Sequence, residues 1–154
     1  MSERKSKKIL IVDDEPGVVE IVRVNLEWEG YDICEAFDGQ EGWDKVRSEK
    51  PDLVILDVMM PKMSGLELLE RIQADPRVCG VPVIMLTVRA RGVDITQALE
   101  KGAVEYLTKP FEPLNLIRVV KKILEESDQP GREAHRQRLL EQRKRLMKSP
   151  GEVS

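Results

Sequence analysis

The chain has 154 residues, 41% of them hydrophobic, which is about one domain's worth of core and leaves little room for a second. Its net charge of −3 joins an acidic body to a basic end: from Gln129 to Ser154 seven Lys/Arg stand against three Glu, a net +4, while the rest carries 18 basic and 25 acidic residues, a net −7. An acidic body argues against a nucleic-acid-binding face on the folded domain, and no early apolar run is long enough for a signal peptide or a membrane span, so a soluble cytoplasmic protein is expected.

The first apolar run, Ile9-Leu-Ile-Val12, is continuous and not alternating, as in a strand buried on both faces. Helical spacing follows at Val18/Val19, Val22 and Leu26. Residues 31–36 mix Ile33 and Cys34 with polar side chains and predict an edge strand. Asp38 three residues ahead of Glu41 marks a helix start, and so does Ser64 ahead of Glu67, whose helix carries Leu68/Leu69 and Ile72. Between them lies the most apolar run, Leu53-Val-Ile-Leu56. Val83-Ile-Met-Leu86 is the fourth run, followed by helical spacing at Ile95, Ala98, Leu99 and Gly102. A weaker strand holds Val104 with Tyr106-Leu107, and Pro113 fits the first turn of a last helix with Leu116, Ile117, Val120, Ile123 and Leu124.

Five strands alternating with five helices predict an α/β fold, a doubly wound five-stranded parallel sheet in a three-layer sandwich, because parallel strands need crossovers and right-handed crossovers place helices on both faces. Residues 1–127 form the predicted domain. Residues 128–154 are read as a linker, around Pro130-Gly131, and a basic tail in which 133–148 are good helix formers with Leu139, Leu140, Leu146 and Met147 as a narrow apolar stripe. Cys34 and Cys79 have no Cys or His at ligand spacing and are expected to be small core thiols. His135, on the basic tail, is expected to be a surface residue.

In such sheets functional groups gather at the carboxyl ends of the strands. The residues there are Asp13 and Asp14 after the first run, Asp57 after the third, Thr87 after the fourth, and Lys109-Pro110 after the fifth. A core has no use for three carboxylates, a hydroxyl and an ammonium on one edge. The carboxylates repel and need a cation, and hard oxygen ligands favour Mg²⁺ or a similar divalent ion. A carboxylate can also be a nucleophile toward phosphorus, and Asp57, alone at the end of the most apolar run, is the best candidate. Lys109 can hold a phosphoryl oxygen as a point charge, and the Thr87 hydroxyl can donate to another.

The segments Ile9-Leu-Ile-Val-Asp-Asp14, Leu56-Asp-Val-Met-Met-Pro-Lys-Met-Ser-Gly65, Leu86-Thr87 and Lys109-Pro-Phe111 resemble the motifs of bacterial response-regulator receiver domains, over about residues 8–126. The resemblance, to stand-alone, chemotaxis-type receivers in particular, implies the flavodoxin-like strand order 2-1-3-4-5. It implies a phosphorylation-dependent signalling switch in which Asp57 is the phosphoacceptor. Asp13 and Asp57 would be direct Mg²⁺ ligands with the Met59 carbonyl, and Asp14 would act through metal-bound water. Thr87 and Tyr106 would be the switch pair, Lys109 would hold a phosphoryl oxygen, and Lys109-Pro110 would be cis. Met59 and Arg89 stand where the family tunes hydrolysis. Val88 stands where the family usually has Ala or Gly, so its branched side chain is expected to slow phosphotransfer or hydrolysis.

The implied partners are a sensor histidine kinase or phosphotransfer protein and a downstream protein met by the face of the fourth helix, fifth strand and fifth helix. A homodimer is a further candidate, and no direct DNA binding is expected. The chain is not expected to turn over an external substrate. A phosphohydrolase of the haloacid dehalogenase type also uses an Asp nucleophile, Mg²⁺ and a lysine, but it needs a second Asp two residues on, where this sequence has Met59. The alternative is an unphosphorylated receiver-like binding module or scaffold.

Overall fold

In the computed structural model, which describes residues 6–88 and 98–127 and omits the side chains of 87, 88 and 127, every continuous apolar run is a strand. The strands are β1 (Lys8–Val12), β2 (Asp32–Ala36), β3 (Leu53–Asp57), β4 (Val83–Val88) and β5 (Glu105–Lys109). All neighbours pair in parallel, in the order β2-β1-β3-β4-β5. This is the doubly wound parallel sheet that the sequence predicts, in the flavodoxin-like order that the family resemblance implies, with the mixed run at residues 32–36 on an edge.

The helices are α1 (Pro16–Trp28), α2 (Gly39–Glu49), α3 (Gly65–Ala74), the helical residues 98–100 (α4) and α5 (Pro113–Ser127). Both predicted caps form. Asp38 accepts from the Glu41 N–H at 2.8 Å, and the Glu41 carboxylate accepts from the Phe37 N–H at 2.8 Å. Ser64 and Glu67 make a reciprocal capping box at 3.2 Å each way. Each cap contributes about 1 kcal/mol by satisfying orphan N–H groups of the first turn. Prolines open α1 and α5, where the missing N–H costs nothing. Of the predicted fourth helix, Ile95 lies outside the described residues, as do the linker and the basic tail.

The sheet divides the core in two. Leu10, Val12, Val54, Leu56, Val83 and Met85 pack with α2 and α3 on one side, while Ile9, Ile11, Leu53, Ile55, Ile84 and Leu86 pack with α1 and α5 on the other. Period-two alternation sends neighbours to opposite faces, and a helix layer waits on each, which is why the strands show no polar alternation. Cys34 fits the expectation of a core thiol, half-buried against the α2–α3 side. Cys79 corrects it: it sits in the turn after α3, partly exposed and in neither cluster, because a turn at the sheet's end offers no covering layer.

Candidate functional site

Parallel strands all end on one edge, so three separate stretches of sequence deliver charge to one place. Asp13 follows β1 directly, Asp57 is the last residue of β3 and Lys109 the last of β5. Asp13 is held by its own backbone, whose N–H donates to Ala36 O at 3.1 Å, and by its carboxylate, which accepts from the Glu15 N–H at 2.9 Å. Asp57 is pinned by the loop behind it. Val58 donates to Leu86 O at 3.0 Å, and the Gly65 N–H donates to Val58 O at 2.8 Å. A Cβ at position 65 would collide with the Asp57 carbonyl, so only glycine lets α3 start against the end of β3.

Asp13 is fully buried and Asp57 5% exposed, while Asp14 faces solvent. Their carboxylate oxygens lie within 4.8 Å of one another. Like charges at that range repel by about 3 kcal/mol at an effective dielectric near 20. Burial, and then the Asp13 charge, push the Asp57 carboxyl up to about 7, against the pull of Lys109 and the Met59 N–H, which lies 3.4 Å from Asp57 Oδ1. The Lys109 ammonium is 2.8 Å from Asp13 Oδ2, 3.1 Å from Glu15 Oε1 and 3.5 Å from Asp57 Oδ1. Burial works against its charge, but contacts with Asp13, Asp57 and Glu15 outweigh it and raise its pKa.

One cation cannot satisfy this cluster. Asp13 Oδ2 has the Lys109 ammonium 2.8 Å away, and that one ammonium is shared with Glu15 and Asp57, so the buried carboxylates are only partly compensated. Three carboxylates that share one ammonium, with no nitrogen or sulfur ligand among them, fit a hard divalent cation.

The structure thus brings together Asp13, Asp14, Asp57 and Lys109. Met59 is half-exposed just past Asp57. Tyr106 is half-buried against the α2–α3 core and lines a cleft of about 450 Å³ with Phe111, Glu112 and Asn115, along β5 and the start of α5. Lys109-Pro110 is cis. Thr87 and Val88 stand on β4 in backbone register with Thr108 and Lys109. Their side chains, and all of Arg89, lie outside the described residues. Sequence reasoning missed Glu15, which both orients Asp13 through its N–H and shares Lys109; its only signal was its place directly after Asp13-Asp14.

Residues 9–121 match the response regulator receiver domain family. The chain is 43% identical over 123 residues to the alkaline phosphatase synthesis transcriptional regulatory protein PhoP of Bacillus subtilis, covering 80% of this chain and 50% of that protein. It is 42% identical over 118 residues to the phosphate regulon transcriptional regulatory protein PhoB of Pseudomonas aeruginosa, covering 77% and 52%. The chain therefore spans about half the length of these curated relatives. A solved receiver domain from Methanospirillum hungatei, described as CheY-like, superposes with a TM-score of 0.75 at 34% identity, over 80% of this chain and 98% of that one.

Proposed function

The chain belongs to the response regulator receiver domain family, whose members are phosphorylation-dependent signalling switches, and on that premise we propose that Asp57 accepts the phosphoryl group. The observation that carries this reading is three carboxylates within 4.8 Å of one another, two of them buried, facing a lysine 2.8 Å from Asp13 and 3.5 Å from Asp57. A carboxylate oxygen of Asp57 attacks phosphorus, the O–P bond forms as the P–N bond to a donor imidazole breaks, and the leaving nitrogen takes up a proton. The donor is a sensor histidine kinase or a phosphotransfer protein.

Asp13 and Asp57 would hold Mg²⁺ together with the Met59 carbonyl, and Asp14 would act through metal-bound water. When bound, Mg²⁺ supplies positive charge that offsets the repulsion between the carboxylates and an incoming phosphoryl group. Lys109 exchanges its contact with Asp57 for a phosphoryl oxygen, the Thr87 hydroxyl donates to another, and Tyr106 repacks behind it. Met59, Val88 and Arg89 set how fast the acyl phosphate forms and hydrolyses. The added charge shifts a pre-existing equilibrium between two conformations. Its readout is the face of α4, β5 and α5, met by a downstream protein or a second copy. Residues 1–127 form the receiver, 128–154 the linker and tail, and the protein works in the cytoplasm on no substrate but itself.

With Mg²⁺ and a small acyl-phosphate donor, the wild type gains one acid-stable, base-labile phosphoryl group and Asp57→Asn gains none. Equal incorporation in both proteins, or none in either, overturns the assignment.

A further inference from the structure

Lys109 stands on β5, yet the two acids nearest its ammonium are on the loop after β1, beyond β4 and β3 in the sheet. Asp13 Oδ2 is at 2.8 Å and Glu15 Oε1 at 3.1 Å, while Asp57 Oδ1, on the strand between, is left at 3.5 Å. The lysine is drawn past the carboxylate it has to serve. Asp13 belongs to the acidic cluster, but Glu15 does not, and its local structure shows why it can reach the lysine. It is the N-cap of α1, a position where Ser, Asp or Asn folds its side chain back onto first-turn N–H groups. Glu15 makes no such side-chain cap: Val18 and Val19 donate to its backbone carbonyl instead, at 3.1 Å each. Pro16 keeps its backbone extended, at φ −99° and ψ 108°, and its N–H is tied to Asp13 Oδ1 at 2.9 Å. The backbone is fixed on both sides, and the long carboxylate arm gives up the cap for Lys109.

We propose that Glu15 is a positioning residue that holds Lys109 back from Asp57 and so slows the loading of the phosphoryl group. The inference rests on the phosphoacceptor reading of Asp57 and deepens it. In loading, an Asp57 carboxylate oxygen bonds to phosphorus as the bond from phosphorus to the donor's oxygen or nitrogen breaks, and the leaving group keeps that electron pair. Lys109 has to move onto a phosphoryl oxygen as charge gathers there. Its contact with Glu15 is given up in that step, so the contact raises the barrier.

Emptying differs. Once Asp57 carries the phosphoryl group the Glu15 contact is already broken, in the ground state and in the transition state of hydrolysis alike, so it has no leverage on that rate. Glu15 thus sets how readily the site fills without setting how long it stays filled. The size of the effect follows from exposure: the Glu15 side chain is 62% exposed, so its pair with Lys109 is a weak one and the change is a few-fold, not a hundredfold.

The test uses the full chain with Mg²⁺ and a small acyl phosphate, reading the rate of phosphoryl gain and, after the donor is removed, the rate of loss. Glu15→Gln, which keeps the shape and removes the charge, should load about threefold faster than the wild type and empty at the same rate. Glu15→Asp keeps a charge at the mouth of the site but is short enough to cap α1, so it should load like Glu15→Gln. If Glu15→Asp loads like the wild type while Glu15→Gln is faster, the charge acts by repelling the donor and the inference is overturned. Equal loading in all three proteins, or a loss rate that changes along with loading, overturns it too. The contact itself is read in the metal-free protein, where the NMR signals of the Lys109 ε-methylene should move in both variants; signals that stay in place overturn the inference. No phosphoryl gain in any of the three proteins is the separate failure of the phosphoacceptor reading, and takes the inference with it.

Discussion

Asp57 and Asp75 sit at opposite ends of the same sheet, and the fold moves their acidities in opposite directions. Asp57, at the carboxyl end of β3, is pushed up to about 7 by burial and by the Asp13 charge. Asp75, which closes α3 at the other end, is pulled down to about 2 by hydrogen bonds from the Arg77 side chain and N–H, at 2.9–3.1 Å. At one end the acids find separate donor groups: Asp75 has Arg77, Glu49 has the Lys8 ammonium, and Asp52 accepts from the Lys8 N–H. The other end gives Asp13, Glu15 and Asp57 a single lysine to share. Stability alone explains the first arrangement. The second is a cluster held against its own repulsion, as the proposed phosphoacceptor role of Asp57 requires.

The sharpest way to break this contrast is to remove the shared cation. Lys109→Ala strands buried carboxylates, so it should cost about 3 kcal/mol in urea titrations at pH 8, and it should slow phosphorylation by a small acyl phosphate about a hundredfold. Removing a repelled charge should do the reverse. A carboxyl with a raised folded-state pKa stabilises the fold below its unfolded value and loses that stabilisation as pH rises toward about 7. Asp57→Asn should therefore stabilise the metal-free protein by about 4 kcal/mol at pH 8 and by almost nothing at pH 4. Equal effects at the two pH values would show that Asp57 is not strained.

Mg²⁺ at ten times its dissociation constant should raise wild-type stability by about 1.4 kcal/mol at pH 8, read as a shift in Tm, and Asp13→Asn should abolish the shift. The smallest effect belongs to the opposite end. Asp75 has a lowered pKa, so its contribution is present above its unfolded value and lost as pH falls toward about 2. Arg77→Ala should lower the urea midpoint slightly at pH 7 and not at all at pH 2, since an open ion pair is screened by water.

Most of the fold is legible in the sequence because burial on both faces writes itself as unbroken apolar runs, and because Asp38 with Glu41 and Ser64 with Glu67 punctuate the helices. The convergence of Asp13, Asp14, Asp57 and Lys109 is legible for a topological reason: once the strands are parallel, their carboxyl ends must share an edge. What is not legible depends on contacts between distant segments. Nothing local shows that the Glu15 carboxylate reaches Lys109, 94 residues away. The collision that reserves position 65 for glycine appears only when α3 is laid against β3. Cys79 misled because its composition suits a core that its turn does not reach.

The sheet that divides the apolar interior also divides the chain's freedom to vary. The two clusters share no residue, and neighbours along β1, β3 and β4 belong to different ones. Substitutions on opposite sides and on different strands fall in different clusters, so their free energies should add more nearly than those of pairs on one side. Lineages descended from this sequence could then rebuild the α1–α5 half without compensating changes beneath α2 and α3. The strand ends are the exception, because both halves grip them; a drift in either half is felt there first.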